Sequence, residues 1–294
     1  MVSGSFFEND VQKRITMSRA KEFIERFTDI QPFPHVVTTL TSLIADSEST
    51  MKDFEEVIKM DPVLVTRLLT LVNSPYYGLA QTVDSIGRAV AFIGMKNLHN
   101  LVVTDALKNI FEEPKPSSAF SKKDLWIHSA AVSICSKMVA ERIFGINGDD
   151  AFLCGILHDF GLLVEEQVCS DDFYTVCTSC TSTDTLVELE REKLGTDHCE
   201  IGYLMTLDWN MPVTIQKAIR DHHVINENIE PSSLTGIIQI SEYIAAQLNH
   251  TTLPDVTTNI SPLLLDHIEN NIDEYTVLIE DVPEEMSKAQ TIYG

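Results

Sequence analysis

An all-α fold is predicted for this 294-residue chain by three features. Strand patterns are scarce, and apolar residues recur at helical spacing through most segments. A composition 44% hydrophobic and 22% charged also suits a packed soluble protein. Residues 18–29 form the first helix, with Ala20, Phe23, Ile24 and Phe27 on one face. Gln31-Pro32-Phe33-Pro34 stops it, because a proline disfavours helix in the residue before it. Val36, Val37, Leu40, Leu43 and Ile44 keep helical spacing up to Asp46. Ser49 and Thr50 are caps for a helix carrying Phe54, Val57, Ile58 and Met60. Asp61-Pro62 starts the next, an N-cap followed by proline at the first helical position. That helix carries Val63, Leu64, Leu68, Leu69, Leu71 and Val72 and ends at Asn73-Ser74-Pro75. Ile86, Ala89, Val90, Phe92 and Ile93 make another, Gly94 breaks it, and Leu98, Leu101, Val102, Ala106, Leu107 and Ile110 continue beyond. The polar, two-proline run from Glu112 to Ser118 reads as a linker.

Past the linker, Ser121 has Asp124 at capping-box spacing and opens a helix whose inner stripe is Leu125, His128, Val132, Cys135 and Val139. Asn147-Gly148-Asp149-Asp150 then turns the chain into Gly155–Val164, which is apolar on every side and reads as one buried helix. Asp171–Asp184 is polar and stays unassigned, and Leu186–Leu194 is amphipathic. Gly195-Thr196-Asp197 caps a helix bearing His198, Ile201, Gly202, Leu204 and Met205. After Trp209-Asn210-Met211-Pro212, Ile215, Ala218, Ile219 and His222 share a stripe, with His223 beside it. Leu234–Leu248 is a further helix containing Glu242. From Asp255 onward the chain is strongly acidic; Leu263–Ile272 docks as a helix and the last dozen residues are expected to be loose. The organisation expected is one domain over 18–250, split into helical lobes at 18–111 and 121–250, followed by an acidic extension at 251–294.

The formal charge of −23, from 44 acids against 21 bases, repels phosphate backbones and anionic membranes. It argues against nucleic-acid and membrane partners. No apolar run spans a bilayer, and the N-terminus lacks a basic-then-apolar pattern, so a cytoplasmic location is expected. Cys135, Cys154 and Cys199 sit in apolar helical surroundings, as reduced thiols do. Cys177-Thr-Ser-Cys180 is a lone CxxC without a second pair, so it reads as two unrelated small residues.

The chemistry concentrates in the second lobe. His158 and Asp159 stand in direct succession inside an apolar stretch, where an imidazole and a carboxylate are costly without partners. Helix neighbours point ~100° apart, so both can grip one cation. His128, His198, His222, His223 and Glu242 lie on inner stripes or near helix starts of the same lobe. A mixed histidine and carboxylate set suits iron, manganese or zinc better than calcium or magnesium. A single histidine on an apolar face is usually a satisfied core residue; several in one lobe point to a divalent metal.

These residues resemble the HDOD proteins, HD-related output domains of bacterial signalling. That family is akin to the HD-GYP phosphodiesterases and the wider HD metal-dependent phosphohydrolases. The first lobe matches through Gln31-Pro32-Phe33-Pro34, Lys59-Met60-Asp61-Pro62, Leu68 to Ser74 and Ile86 to Gly94. The second matches through Leu157-His158-Asp159-Phe160-Gly161, His198-Cys199-Glu200-Ile201-Gly202, Trp209-Asn210-Met211-Pro212 and Ala218 to His223. The resemblance implies a two-lobed helical fold with an HD-type second lobe. It matches His128, His158 and Asp159 to the first metal ligands, and His198, His222 and His223 to the extra histidines of multi-metal relatives. It also places Asp124 as a carboxylate one turn before the first histidine, and Glu242 where HD domains carry a final aspartate. Two departures stand out. Leu162 occupies the place of the lysine that meets the phosphate in HD-GYP enzymes, and Val164-Glu165-Glu166-Gln167 brings two acids where a Gly-Tyr-Pro loop is absent.

Two functions stay open from the sequence. One is a regulatory and interaction module with a metal in its HD-like lobe, serving a kinase, a response regulator or a regulatory enzyme. The other is a metal-dependent phosphohydrolase acting on a nucleotide or cyclic dinucleotide, with Asp159 as its catalytic metal ligand. A cationic group near the site would discriminate them, and Lys217 and Arg220 are the nearby candidates.

Overall fold

The fold is taken from a computed structural model that describes residues 3–27, 35–74, 79, 82–108, 111, 119–254 and 256–293. Among the described residues the chain is helical, with one isolated bridge between Ser182 and Thr257 and no strand. No described helix is long and apolar enough to cross a membrane.

The first half comprises α1 (Ser3–Arg26), α2 (His35–Ala45), α3 (Met51–Lys59), α4 (Pro62–Val72), α5 (Ile86–Ile93) and α6 (Met95–Lys108). The start signals act as expected. The Thr50 N–H and hydroxyl both donate to Asp53 Oδ2 at 2.7 Å, and the Leu64 N–H donates to Asp61 Oδ1 at 3.1 Å. Gly94 separates α5 from α6 at φ +80°, a conformation that needs no Cβ. The expected stop at Gln31–Pro34, Pro75 after α4 and the linker at Glu112–Ser118 lie outside the described residues.

The second half comprises α7 (Lys122–Met138), one wide π-turn (Val139–Ile143), α8 (Asp149–Leu157), α9 (Phe160–Val168), α10 (Ser170–Ser179), α11 (Thr183–Lys193) and α12 (His198–Asp208). It continues with α13 (Val213–Asp221), α14 (Leu234–Gln247), α15 (Pro262–Asn270) and α16 (Ile272–Tyr293). Two expectations are corrected and one unassigned stretch is resolved. Gly155–Val164 is not one helix: α8 ends at Leu157, and His158-Asp159 forms a corner with Asp159 at φ −96°, ψ 8°. The polar stretch from Asp171 forms α10, which buries Phe173, Val176 and Cys177. Contrary to the expectation of a loose last dozen residues, α16 runs helical to Tyr293, burying Tyr275, Leu278 and Val282 ahead of them and Met286 among them. Those four follow helical spacing, and the acids between them hid the stripe.

Two apolar clusters flank the polar site. One joins both halves of the sequence: Phe23, Leu40, Phe54, Val90 and Leu98 belong to it together with Leu125, Leu157, Leu162, Ile201 and Ile219. The first helix, α1, packs on α9 and α12. The other cluster gathers Val132, Cys135, Ile240 and Ile244 with Leu264, Tyr275 and Leu278. Helices α7, α8 and α14 contribute to both clusters, and the polar site lies among them.

A buried pair joins α2 to α6, where the Thr41 hydroxyl and His99 Nε2 meet at 2.7 Å. Burial pushes the His99 ring down to about 4. The folded state keeps it neutral, whereas the unfolded chain takes a proton near the ordinary value of about 6.5. Its contribution is therefore complete above about pH 6.5 and lost as pH falls from there to about 4, some 3 kcal/mol in all. Denaturant unfolding of the wild type and of His99→Gln across that window is expected to show the steeper acid loss in the wild type. Parallel curves would refute it.

Candidate metal centre

The corner at His158-Asp159 sets the geometry. His158 projects from the end of α8 and Asp159 from the start of α9, so both side chains reach one centre. His128 arrives from α7 and Glu242 from α14. His128 Nε2 lies 3.2 Å from His158 Nε2, and each lies 3.5 Å from Asp159 Oδ2. Glu242 Oε1 is 3.1 Å from His158 Nε2. The other oxygen of Asp159 faces a second group: His198 Nε2 at 3.6 Å and His222 Nε2 at 3.5 Å. His223 closes that side, with Nδ1 3.7 Å from Glu242 Oε2. Asp159 thus stands between two donor clusters, one oxygen to each.

The outward nitrogens decide the tautomers. Nδ1–H of His128 donates to the His250 carbonyl at 2.8 Å, that of His158 to Gly155 at 2.7 Å, and that of His222 to Ile219 at 2.6 Å. A carbonyl only accepts, so each Nδ1 carries a proton and each Nε2 is the nitrogen that faces the centre. His198 Nδ1 is held by the Glu190 carboxylate at 2.7 Å, the carboxylate–histidine pairing that orients metal ligands.

This arrangement fits a cation. Lone pairs of His128 and His158 confront each other at 3.2 Å, and burial holds His128 below its ordinary value, against the pull of Asp159. His222 Nε2 and Asp159 Oδ1 are buried without hydrogen-bond partners. Burial disfavours the Asp159 carboxylate, yet His158 and the other rings around it hold it well below the usual range. Burial likewise opposes Glu242, and His223 with its neighbours brings it down to about 2. Burial disfavours charge on His198 and His222, yet Cys199 with Glu190 and Asp159 holds both rings well above their ordinary value, so a cation would enter by displacing protons there. Imidazoles around ionised carboxylates are the donor set of iron, manganese or zinc. Zinc–nitrogen bonds of ~2.0–2.1 Å place tetrahedral ligands roughly 3.3 Å apart, close to the separations found here.

Seven of the eight candidates converge: His128, His158, Asp159, His198, His222, His223 and Glu242. Asp124 does not. It is exposed in the first turn of α7, where its backbone N–H is engaged by Ser121 Oγ. Three contributors carried no readable signal. Glu190 backs His198 from α11, Cys199 Sγ lies 3.4 Å from His198 Nε2, and the Thr252 hydroxyl donates to Asp159 Oδ2 at 3.0 Å. Glu165, one of the two acids after the corner, is fully buried beside Glu190 and His198. Burial, then Glu190, keeps it neutral far above the ordinary range. Glu166 turns away to the Tyr174 hydroxyl and Lys122.

No cation faces the centre from the candidates named above. Leu162 is buried, 1% exposed. Lys217 is exposed on α13. Arg220 is engaged by both oxygens of Asp221 at 2.7 and 2.9 Å and lies over the Tyr203 ring.

Comparison with known proteins agrees with this architecture. The HDOD domain profile matches residues 30–225. An uncharacterised protein of Treponema pallidum (strain Nichols) is 26% identical over 218 residues, covering 71% of this chain but 40% of that protein. Among solved structures, a candidate phosphohydrolase from Shewanella amazonensis SB2B is 26% identical, with a TM-score of 0.64 over 92% of this chain and 95% of that one. An HDOD domain protein of unknown function from Geobacter sulfurreducens superposes with a TM-score of 0.68 at 21% identity, over 92% and 98% of the two chains. A candidate signal transduction protein from Marinobacter aquaeolei VT8 reaches 0.75 at 19% identity, over 96% of this chain and 65% of that one.

Proposed function

The chain belongs to the HDOD family, and on that footing we propose that it is a regulatory, protein-interaction module of bacterial signal transduction whose HD-like lobe holds a divalent metal. His128, His158, Asp159 and Glu242 would hold one cation, and Asp159 with His198, His222 and His223 a second. Iron, manganese or zinc suits this donor set. Such a group, when bound, supplies Lewis acidity and a lowered pKa for bound water. The chain's own residues decide whether a substrate reaches it.

One observation carries the reading: on the side of His128 and Glu242 the centre has almost no free volume. The space against His128, Asp159, His223 and Glu242 is a cavity of about 30 Å³. Ligand pockets run to roughly 300–1,000 Å³, so this one admits water or an ion and no nucleotide. Its roof is the segment after α14, with Thr251, Thr252, Leu253, Val256 and Thr258 facing in. Backbone bonds fasten that roof to the start of α11, from the Thr183 N–H to the Thr257 carbonyl at 3.0 Å and from the Thr257 N–H to the Thr181 carbonyl at 3.2 Å. The missing phosphate lysine at Leu162 points the same way. A partner such as a kinase, a response regulator or a regulatory enzyme is the counterpart, and a net charge of −23 favours a basic face on it.

A second reading, a phosphohydrolase, draws on the full ligand set and on the Shewanella amazonensis relative. A cavity of about 370 Å³ also opens beside Cys199 and His223, with Arg191 and Arg220 on its wall. Both guanidiniums are already paired, Arg191 with Asp197 and Arg220 with Asp221. Manganese-loaded protein incubated with cyclic dinucleotides and a chromogenic phosphodiester is expected to release no product. Turnover above a His158→Ala control would overturn the regulatory reading in favour of the hydrolase.

A further inference from the structure

We propose that Cys199 is a thiolate ligand of the inner cation position, so that the two halves of the centre differ in chemistry. This rests on the reading that the centre holds cations. The outer position, His128, His158, Asp159 Oδ2 and Glu242, offers nitrogen and oxygen. The inner one offers sulfur as well.

Geometry singles out this thiol among the cysteines. Cys135 and Cys154 are buried in the apolar clusters and fill space there. Cys199 is also buried, 3% exposed, but its Sγ lies 3.4 Å from His198 Nε2. Ligand atoms of His198, Cys199, His222 and His223 all fall within 4.8 Å of one another. With bonds of ~2.3 Å to sulfur and ~2.0–2.1 Å to nitrogen, a tetrahedral centre has edges of roughly 3.3–3.6 Å. The sulfur–nitrogen edge at 3.4 Å matches, as do the edges from Asp159 Oδ1 to His222 at 3.5 Å and to His198 at 3.6 Å. His222 Nε2 has no other partner and is buried.

The local sequence builds this arrangement. Asp197 caps α12 through the Glu200 N–H at 2.9 Å, which fixes the first turn. His198 and Cys199 are the first two residues of that turn, so they diverge around one point. Glu190 holds the His198 ring from behind. The cavity of about 370 Å³ lined by Cys199 and His223 gives an ion a path from solvent.

A thiolate changes selectivity. Sulfur donors favour zinc and iron, whereas carboxylate-rich positions suit manganese and magnesium. The inner position is therefore a zinc-type position beside a harder outer one.

Cobalt substitution tests this. The untagged protein, stripped and reloaded with Co²⁺, is expected to show a sulfur-to-cobalt charge-transfer band in the near ultraviolet. In Cys199→Ser that band disappears, while cobalt stays at the outer position. Cys135→Ser keeps the band. Zinc affinity at the inner position is expected to fall at least ~10–100-fold in Cys199→Ser. Cobalt bound by the wild type without the band would overturn the thiolate assignment and leave the metal reading standing. No cobalt bound at all would overturn both.

Discussion

Asp159→Ala is expected to empty both cation positions and to lower the melting temperature of the metal-loaded protein by on the order of 10 °C. The carboxylate stands centrally between the two clusters, with Oδ2 toward His128 and His158 and Oδ1 toward His198 and His222, whereas Glu242 touches the second only through His223. A ligand at a hundred to a thousand times its dissociation constant stabilises by roughly 3–4 kcal/mol. For a chain of this size each kcal/mol moves the midpoint by about 2–4 °C. A second cost comes from the protein itself. Without Asp159 the buried rings keep their outward bonds but lose the charge that balances them. His158→Ala makes the contrast, because that ring serves only the outer cluster. It should remove about one equivalent of metal where Asp159→Ala removes both. Metal analysis by mass spectrometry beside thermal melts reads the two effects. An unchanged melting curve for Asp159→Ala would defeat the claim that the centre is loaded.

That centre was legible in part because its ligands obey helical spacing. His128 falls on the stripe of Leu125, Val132 and Cys135, and His222 on that of Ile215, Ala218 and Ile219; both stripes are buried. The corner at His158-Asp159 left no such trace. Its flanks are apolar on every side, so nothing marks where one buried helix ends and the next begins. Glu190 reaches His198 across the turn at Gly195, and loop geometry has no period to read. Thr252 belongs to an irregular roof. Cys199 looked like any buried thiol because its meaning comes from His222, which is distant in sequence. Asp124 shows the opposite failure. Its spacing from His128 is right for a shared face, but it sits at the helix end, where solvent competes.

Gly161→Ala is expected to destabilise the fold by about 3 kcal/mol, and to remove metal from the inner position while sparing the outer one. A Cβ at Gly161 would lie 2.2 Å from the His198 carbonyl oxygen, 2.7 Å from its Cα and 2.8 Å from its carbonyl carbon. All three are backbone atoms, so no side chain can swing aside. Helices α9 and α12 must part, and overpacking of this kind costs typically 1–3 kcal/mol and occasionally more. The movement is directed, because α12 begins at His198 and carries Cys199 with it. His128 and Glu242 stand on α7 and α14 and keep their places. Gly202→Ala is the matched control on the same helix. Its Cβ would meet Ile219 Cγ2 at 2.9 Å, a single branched side chain on α13 rather than three backbone atoms. Denaturant midpoints and cobalt spectra of the two variants separate the cases. Gly161→Ala should lose the sulfur-to-cobalt band while retaining metal, and Gly202→Ala should keep it at a smaller cost in stability. Equal losses in both would mean that α12 tolerates displacement, and the contact at Gly161 would no longer explain how the inner position is held.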